Sequence, residues 1–261
     1  METTKKERHV LGFTVFAVLL LLLGAFLISA ASQPEGPQVN FVENSTKVIS
    51  GGAGPRSDGK GVITTLALTA TQQNFRWKAY VGNVTGSYVL QDANGYNIYS
   101  WASGVTLTGT VIVARNNTVY WSFINCSNAT DIQQEEARLS ITDSAFDSIT
   151  NTFLYNNHSS ITIAEKTLTE CPYMATYINS TAQAANSSNN DFQEIIVASN
   201  YTLDDATGIV YTNILFATKI ETDIIGYTNL NRTYDFQVIV PDYGSIAVPD
   251  LVPYYFYVEL V

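Results

Sequence analysis

The chain has 261 residues, which is room for one large domain or two small ones. Apolar residues make up 46% of it, enough to bury a core, and the 16 tyrosines and many β-branched residues favour strands over helices. Its net charge is −10 and its basic residues cluster only in the N-terminal tail, which argues against a nucleic-acid partner and fits the solubility of an exposed domain.

Residues 10–31 form a run of 22 residues without a charge. As a helix this run would span about 33 Å, close to the roughly 30 Å hydrocarbon core of a bilayer. Lys5, Lys6 and Arg8 precede the run, and positive charge holds that side in the cytoplasm. The sequence therefore predicts a cytoplasmic tail at 1–9, a single transmembrane anchor at 10–31 and a cell-surface location for the rest.

Two alternatives to the anchor stay open. Small residues at 29–31 fit a signal-peptidase site, which would release a secreted chain, although the apolar run exceeds the roughly 7–15 residues of an ordinary signal core. A prepilin-type leader would need processing near Gly12, but two apolar residues separate that glycine from the basic tail. Anchor and signal peptide alike place residues 33–261 outside the cytoplasm.

Ten Asn-x-Ser/Thr triplets, the acceptor pattern for N-glycosylation, are spread along the chain. Chance would give roughly four in a chain with this asparagine content. The alternative is an Asn/Thr-rich β-protein with accidental triplets. The acceptor asparagines are Asn44, Asn83, Asn116, Asn125, Asn128, Asn157, Asn179, Asn186, Asn200 and Asn231.

The chain has two cysteines, Cys126 and Cys171. In an oxidising exterior we expect them to pair, and closing a loop of about 45 residues stabilises a fold by about 4 kcal/mol in the chain-entropy model. The alternative is two buried free thiols. Zinc is disfavoured because no histidine or second cysteine stands near either one.

Residues 32–61 contain many Gly and Pro residues, which break regular secondary structure, and this composition predicts a flexible stalk. An extracellular β-rich domain is predicted to follow at 62–261, with an alternative subdivision near 171. An Asn-Gly turn at 92–95 divides two of the predicted strands. The predicted strands are 62–71, 76–81, 87–91, 96–101, 108–114, 118–124, 152–155, 160–164, 173–178, 192–198, 209–216, 234–240 and 254–260.

One helix is predicted near residue 130. Thr130 and Gln133 have the spacing of a capping box, and Ile132 and Leu139 lie seven residues apart on one face. A second short helical turn is predicted at 143–149. The expected fold is mainly β: an antiparallel β-sandwich-like ectodomain with one short helix, preceded by a single N-terminal transmembrane helix.

Each candidate catalytic or cofactor-binding motif in the sequence lacks a required feature. Residues 54–60 have the glycine spacing of a phosphate-binding loop, but Gly61 stands where a Ser or Thr must hold magnesium. His158 is the one histidine beyond the predicted membrane span, and no Gly-x-Ser-x-Gly elbow exists. Acidic pairs such as Glu135 and Glu136 lack an aromatic platform in sequence. We therefore expect no enzyme activity, no cofactor and no assigned metal site.

Aromatic residues concentrate between 75 and 101. Packing across adjacent strands is the simplest interpretation of this cluster. Four of its members also form a candidate platform for a carbohydrate ligand: Tyr80, Tyr96, Tyr99 and Trp101.

Several motifs stand out along the β-rich region: WKAYVGNVTG at 77–86 with the segments 92–95 and 99–101, and the runs 118–126, 233–241 and 254–260. These motifs resemble those of a group of uncharacterised archaeal surface proteins. The group is similar in having a single N-terminal hydrophobic segment and a β-rich exterior. The resemblance touches much of residues 75–260 and implies an archaeal cell envelope, but it carries no activity and no catalytic residues.

The sequence therefore predicts a non-enzymatic, N-glycosylated envelope protein with a structural or adhesive role. Its expected partners are the membrane, and beyond it envelope proteins, glycans or copies of itself. One alternative is a secreted filament subunit in which an extended segment, 39–49 or the C-terminal strand, completes a neighbour's sheet. Another is a carbohydrate-binding surface protein.

Overall fold

A computed structural model describes residues 33–46, 57, 59–67, 73–101, 106–204, 209–243 and 252–261. They belong to one compact unit, Gln33–Val261. The predicted anchor at 10–31 and most of the glycine-rich part of the predicted stalk lie outside the described residues. Within the described ranges, no helix has the length and apolar character needed to cross a membrane.

The predicted mainly-β architecture with antiparallel pairing is confirmed. The described strands are β1 Trp77–Gly82, β2 Val89–Gln91, β3 Asn97–Ser100, β4 Gly109–Ala114, β5 Ile124–Cys126, β6 Ile161–Ile163, β7 Lys166–Leu168, β8 Tyr173–Ala175, β9 Gln193–Asp204, β10 Ile209–Lys219, β11 Ile224–Ile225, β12 Thr233–Tyr234, β13 Phe236–Pro241 and β14 Tyr255–Leu260. The helices are α1 Ala129–Arg138 and the single turn α2 Ile149–Thr152, and a 3-10 turn covers Trp121–Phe123.

A six-stranded antiparallel sheet forms the centre of the unit. Its strands run in the order β14-β4-β10-β9-β5, and β8 also pairs with β9. Strands β9 and β10 form a long hairpin whose facing segments, such as 195–198 of β9, are apolar at every position. Such continuous apolar runs are typical of strands that are covered on both faces.

Both faces of this sheet are indeed buried. On one face, Ile195 and Leu215 pack with Ile161 and Ile163 of the β6–β7 hairpin and with Tyr173. On the other face, the next residues along the strands pack against α1, α2 and the β1–β13 ribbon; this second cluster includes Ile196, Phe216, Ile132, Phe153, Val238 and Val240. Each fully buried side chain of this kind stabilises the fold by about 1.5–3 kcal/mol.

Strands on either side of Cys171 pair with one another. β4 pairs with β10, and β5 pairs with β9. A subdivision near 171 would cut through these pairs, so the central sheet joins the two halves of the described chain.

The helix near residue 130 exists, but its predicted cap is wrong. Asn128 is the N-cap: its Oδ1 accepts a hydrogen bond from the Asp131 N–H at 3.0 Å, and Asp131 Oδ2 accepts one from the Asn128 N–H at 3.1 Å. This reciprocal pair satisfies two backbone donors at the helix start. Ile132 and Leu139 are buried on its inner face, as the spacing predicts.

Two other local predictions need correction. The helical turn predicted at 143–149 lies slightly later, at α2, where Ser148 Oγ accepts the Asn151 N–H. It occupies part of the strand predicted at 152–155, of which Tyr155 makes an isolated bridge to Tyr173. The described part of the strand predicted at 62–71, residues 62–67, pairs with nothing in the described chain, and Ile63 is exposed.

Candidate functional site

The predicted disulfide between Cys126 and Cys171 is confirmed. Cys126 ends β5 and Cys171 precedes β8, and the two Cα atoms lie 4.8 Å apart. Both short strands pair with β9, so the bridge ties them to the same side of the central sheet. The Cys171 side chain is fully buried in the core cluster that also contains Ile161, Ile163 and Tyr173.

Nine of the ten acceptor asparagines are exposed. Asn200 differs: it lies half-buried in β9, and its Oδ1 atom is buried without a hydrogen-bond partner. Asn179, Asn186 and Asn231 have φ of 47°, 57° and 52°. Asparagine adopts this left-handed conformation more readily than most residues, so turn geometry explains these three asparagines independently of any glycan.

Asn128 combines two roles without conflict. Its Oδ1 atom caps α1, whereas an N-linked glycan attaches to Nδ2. Nδ2 makes no hydrogen bond within the described chain. The cap and a glycan can therefore coexist on one side chain.

The β2–β3 hairpin is built around Asp92. Asp92 Oδ1 accepts hydrogen bonds from the N–H groups of Tyr96 and Asn94, each at 2.9 Å, and these bonds hold the pKa of the exposed Asp92 carboxyl below its ordinary value. Gly95 has a φ of 86°, a conformation that favours glycine. The predicted Asn-Gly turn is thus confirmed, and the turn is fixed by its own hydrogen bonds.

The hairpin presents large apolar side chains to solvent. Tyr96 is 73% exposed, Tyr99 58% and Trp101 50%, and the Tyr99 and Trp101 rings meet edge to face with centroids 5.1 Å apart. Leu90, directly opposite Tyr99, and Ile98 are also more than half exposed. Sequence reasoning placed these two aliphatic residues in predicted strands and named only the aromatic residues as a platform.

Tyr80, the fourth residue of the predicted platform, does not join this group. It lies half-buried in β1, and its ring packs edge to face on Phe256 at 5.0 Å within the second core cluster. Burial, and then the nearby Asp242 carboxylate, raise the pKa of the Tyr80 hydroxyl. The exposed aromatic surface therefore consists of Tyr96, Tyr99 and Trp101.

His158 has no nitrogen free to act as a base. Its Nδ1–H donates to the Ser159 carbonyl oxygen at 2.7 Å, and its Nε2 accepts the Cys171 N–H at 2.9 Å. Burial lowers the pKa of the ring, which favours the neutral form that these two bonds require. The Ser159 hydroxyl instead accepts from Lys219 Nζ at 2.7 Å and lies 3.0 Å from Gln193 Oε1. His158 therefore supplies no imidazole base to Ser159.

The paired acids of α1 are also committed to structure. The buried Glu135 carboxylate binds Arg115 Nε at 2.6 Å and Arg138 at 3.3 Å. Glu136 Oε1 accepts the Thr150 N–H at 2.8 Å, which links α1 to α2. Across the described residues, no group of three or more His, Cys, Asp or Glu side chains is placed to hold a metal ion.

An extended N-terminal segment, residues 33–46, touches the edge of the central sheet. Glu35 and Val258 of the edge strand β14 exchange two backbone hydrogen bonds, at 2.9 and 2.8 Å. Pairing continues no further along the segment because Pro37, the next residue due to donate to β14, has no N–H. Beyond it Val39, Phe41 and Val42 are exposed.

Comparison with known proteins gives no further guide. The chain matches no protein-family model, no curated protein and no solved structure. Its function must therefore be inferred from its own residues.

Proposed function

We propose that the chain is a non-enzymatic, N-glycosylated cell-surface protein with a structural or adhesive role in an archaeal-type envelope. Residues 10–31 anchor it in the cell membrane as a single span, with 1–9 in the cytoplasm and the β-rich unit outside. The exposure of nine of the ten acceptor asparagines, on a unit that also carries a disulfide, is the observation that supports this most. Disulfides persist in oxidising exteriors, where N-glycans are also found.

The finer architecture that we propose for this ectodomain is sandwich-like. The β1–β13 ribbon supplies part of a second β layer over one face of the central sheet, together with the two helices. An antiparallel sandwich of this kind displays long connections and strand edges at its surface, and nine of the ten acceptor asparagines are exposed.

The proposal predicts protease sensitivity of intact cells together with a defined glycan pattern. Protease added to intact cells that make the chain should release peptides from residues 73–261. Glycopeptide mass spectrometry should then find glycan on exposed asparagines such as Asn125 and none on Asn200, because the Asn200 side chain is half-buried in β9. Asn125 is the matched comparison, since it also lies in a strand, β5, that pairs with β9. Resistance of the unit to the protease, with all nine exposed asparagines bare, would contradict the proposal.

A second candidate function is a secreted filament subunit that polymerises by strand donation. It is favoured by the segment 33–46, which already pairs with the β14 edge through Glu35 and carries exposed Val39, Phe41 and Val42. Extended apolar segments and open sheet edges are the two halves of β-augmentation. In this case the chain would be cleaved near Ser32, and the segment of one copy would pair with β14 of the next.

Engineered cysteines distinguish pairing of this segment with β14 of its own chain from pairing with β14 of a neighbouring copy. In the double variant Glu35→Cys, Val258→Cys the new thiols are the only unpaired ones, because Cys126 and Cys171 bond to each other. Directly opposed residues on antiparallel strands have the Cα separation that a disulfide tolerates. A filament should give a ladder of covalent multimers on a non-reducing gel, while the single-cysteine variants should stop at dimers. A gel with monomer alone would rule out strand donation at this edge.

A further inference from the structure

The β2–β3 hairpin carries a cluster of exposed apolar side chains that the fold does not explain. It pairs with no third strand in the described chain, yet it exposes Leu90, Tyr96, Ile98, Tyr99 and Trp101. A two-stranded hairpin alone is marginally stable in water, and clustered apolar side chains on a surface mark interaction sites. Its turn is closed by hydrogen bonds to Asp92.

The charged residues on and near the hairpin indicate which class of ligand it can bind. No Lys or Arg occurs between Lys78 and Arg115, so the hairpin offers nothing to an anionic ligand or to nucleic acid. Its one charged group, Asp92, is engaged by two backbone N–H groups of its own turn. The hairpin therefore suits a neutral ligand, which needs no charged partner on it.

The layout of the hairpin disfavours a lipid surface. The tip, residues 91–95, is polar and carries Asp92, whereas the apolar residues lie on the strands behind it. A hairpin that entered a bilayer by its tip would have to bury this charge and the unpaired backbone groups of both strand edges.

The remaining chemistry fits a sugar. Tyr99 lies in β3 and Trp101 directly follows that strand, two residues on and therefore on the same face. Their ring planes meet at 82°, so a pyranose stacked on either ring has the second aromatic ring as its neighbour. The amides of Gln91, Asn94 and Asn97 are exposed on the same hairpin and supply both donors and acceptors for hydroxyl groups. Aromatic surfaces with a few orienting polar groups are the usual composition of small-ligand sites.

The distribution of acceptor asparagines agrees with an open site. None of the ten lies in residues 88–101, and the nearest in sequence is Asn83. The hairpin surface thus carries no glycan of its own that would cover the rings.

We infer that the β2–β3 hairpin binds neutral saccharides, with Tyr99 and Trp101 as stacking residues and Gln91, Asn94 and Asn97 as hydrogen-bonding residues. This inference deepens the adhesive role proposed above and rests on it for the cell-surface setting.

The test uses the full chain, purified in a detergent without a sugar headgroup so that the detergent does not compete. Binding to immobilised neutral gluco-, manno-, galacto- and chito-oligosaccharides is measured for the wild type and for Trp101→Ala and Tyr99→Ala. The wild type should bind at least one of these series, and each substitution should weaken that binding about tenfold or more, the equivalent of one lost stacking contact.

Ile98→Ala is the matched control. Ile98 is 77% exposed in the same strand, but it points to the opposite face from Tyr99, so its loss removes apolar surface and leaves the rings intact. The control should bind as the wild type does, and circular dichroism should confirm that all three variants are folded. Wild-type binding to none of the four series overturns the inference, and so does an equal loss in Ile98→Ala and Trp101→Ala, which would show that the loss does not come from stacking on the rings. Because protease sensitivity and glycan occupancy are measured independently, the saccharide site can fail while the cell-surface assignment stands.

Discussion

Replacing Cys126 and Cys171 together by alanine is expected to lower the free energy of unfolding by about 4 kcal/mol. The bridge closes a loop with a sequence separation of 45, and the chain-entropy model gives about 4 kcal/mol for a loop of this length. Domains are stable by only about 5–15 kcal/mol in total, so this is a large share. In a unit of this size the loss corresponds to a fall of roughly 8–16 °C in Tm.

The closed loop contains structure that covers both faces of the sheet. Residues 127–170 include α1, α2 and the β6–β7 hairpin, whose buried side chains belong to the two core clusters. Without the bridge, this segment gains conformational freedom in the unfolded chain. The native contacts can persist, so the expected outcome is a weaker fold of the same kind.

Urea unfolding, followed by circular dichroism, measures the effect. Reduction of the wild type should reproduce the loss while leaving both sulfur atoms in place, which separates the bridge from the packing of the buried Cys171 side chain. The double variant should be insensitive to reductant. Cys126→Ala also keeps the triplet at Asn125 intact, so glycosylation there is unchanged. Equal unfolding midpoints for the oxidised wild type and the double variant would refute the prediction.

Local signals in the sequence were sufficient for several features. The Asn-Gly turn at 92–95 was identifiable because two adjacent residues determine it, and the disulfide because the chain offers one pair of cysteines. The helix near 130 was identifiable from its apolar spacing, but two overlapping capping patterns were present. The structure uses Asn128 with Asp131 and not Thr130 with Gln133. Only the position of the first helical turn decides between such patterns.

Contacts between residues that are distant in sequence determine which side chains are buried, and the sequence alone did not show this. Tyr80 and Tyr99 look alike in sequence, but Tyr80 packs on Phe256, which is 176 residues away, and Tyr99 stands on a hairpin that pairs with no other strand in the described chain. Alternation along a strand shows that two faces exist, but it does not show which face is covered. For the same reason, the sequence did not predict that Glu194 is buried. Glu194 lies two residues before Ile196 in β9, so its side chain is on the same buried face.

Glu194 lies in an environment that opposes its negative charge. Its side chain is fully buried in β9, directly across from Thr218, on the face that also holds Ile196 and Phe216. Oε2 accepts the Ile239 N–H at 2.9 Å, whereas Oε1 has no hydrogen-bond partner and no ion pair in the described chain involves this residue. Burial raises the pKa of Glu194 well above its ordinary value of 4.5, although the bond from Ile239 acts in the other direction.

The raised pKa of Glu194 contributes stability to the fold in acid. The folded chain holds the Glu194 proton to higher pH than the unfolded chain does, so the contribution to stability is complete below about pH 4.5 and is lost as pH rises through the folded pKa. Burial raises the pKa of Glu259 and Glu221 as well, which adds to this trend. His158 acts in the opposite direction below pH 6.5, because burial lowers its pKa and protonation favours the unfolded chain.

Glu194→Gln isolates the contribution of this one carboxyl. The amide does not titrate, so the variant should gain stability over the wild type by about 1.4 kcal/mol for each pH unit between 4.5 and the folded pKa. Urea unfolding at a series of pH values measures this difference. Because His158, Glu259 and Glu221 are common to both chains, their effects cancel in the comparison.

Glu135→Gln is the matched control, since Glu135 is equally buried but paired with Arg115 and Arg138. Its replacement weakens two charged contacts and should destabilise the fold by about 1–3 kcal/mol at neutral pH, the opposite sign to Glu194→Gln. The contrast follows from the partners: Glu135 is paired with two guanidinium groups, whereas Glu194 has no ion pair in the described chain and shares its face with apolar side chains. A Glu194→Gln variant that is no more stable than the wild type at any pH above 4.5 would show that the carboxylate is solvated in the native state, and would contradict the prediction.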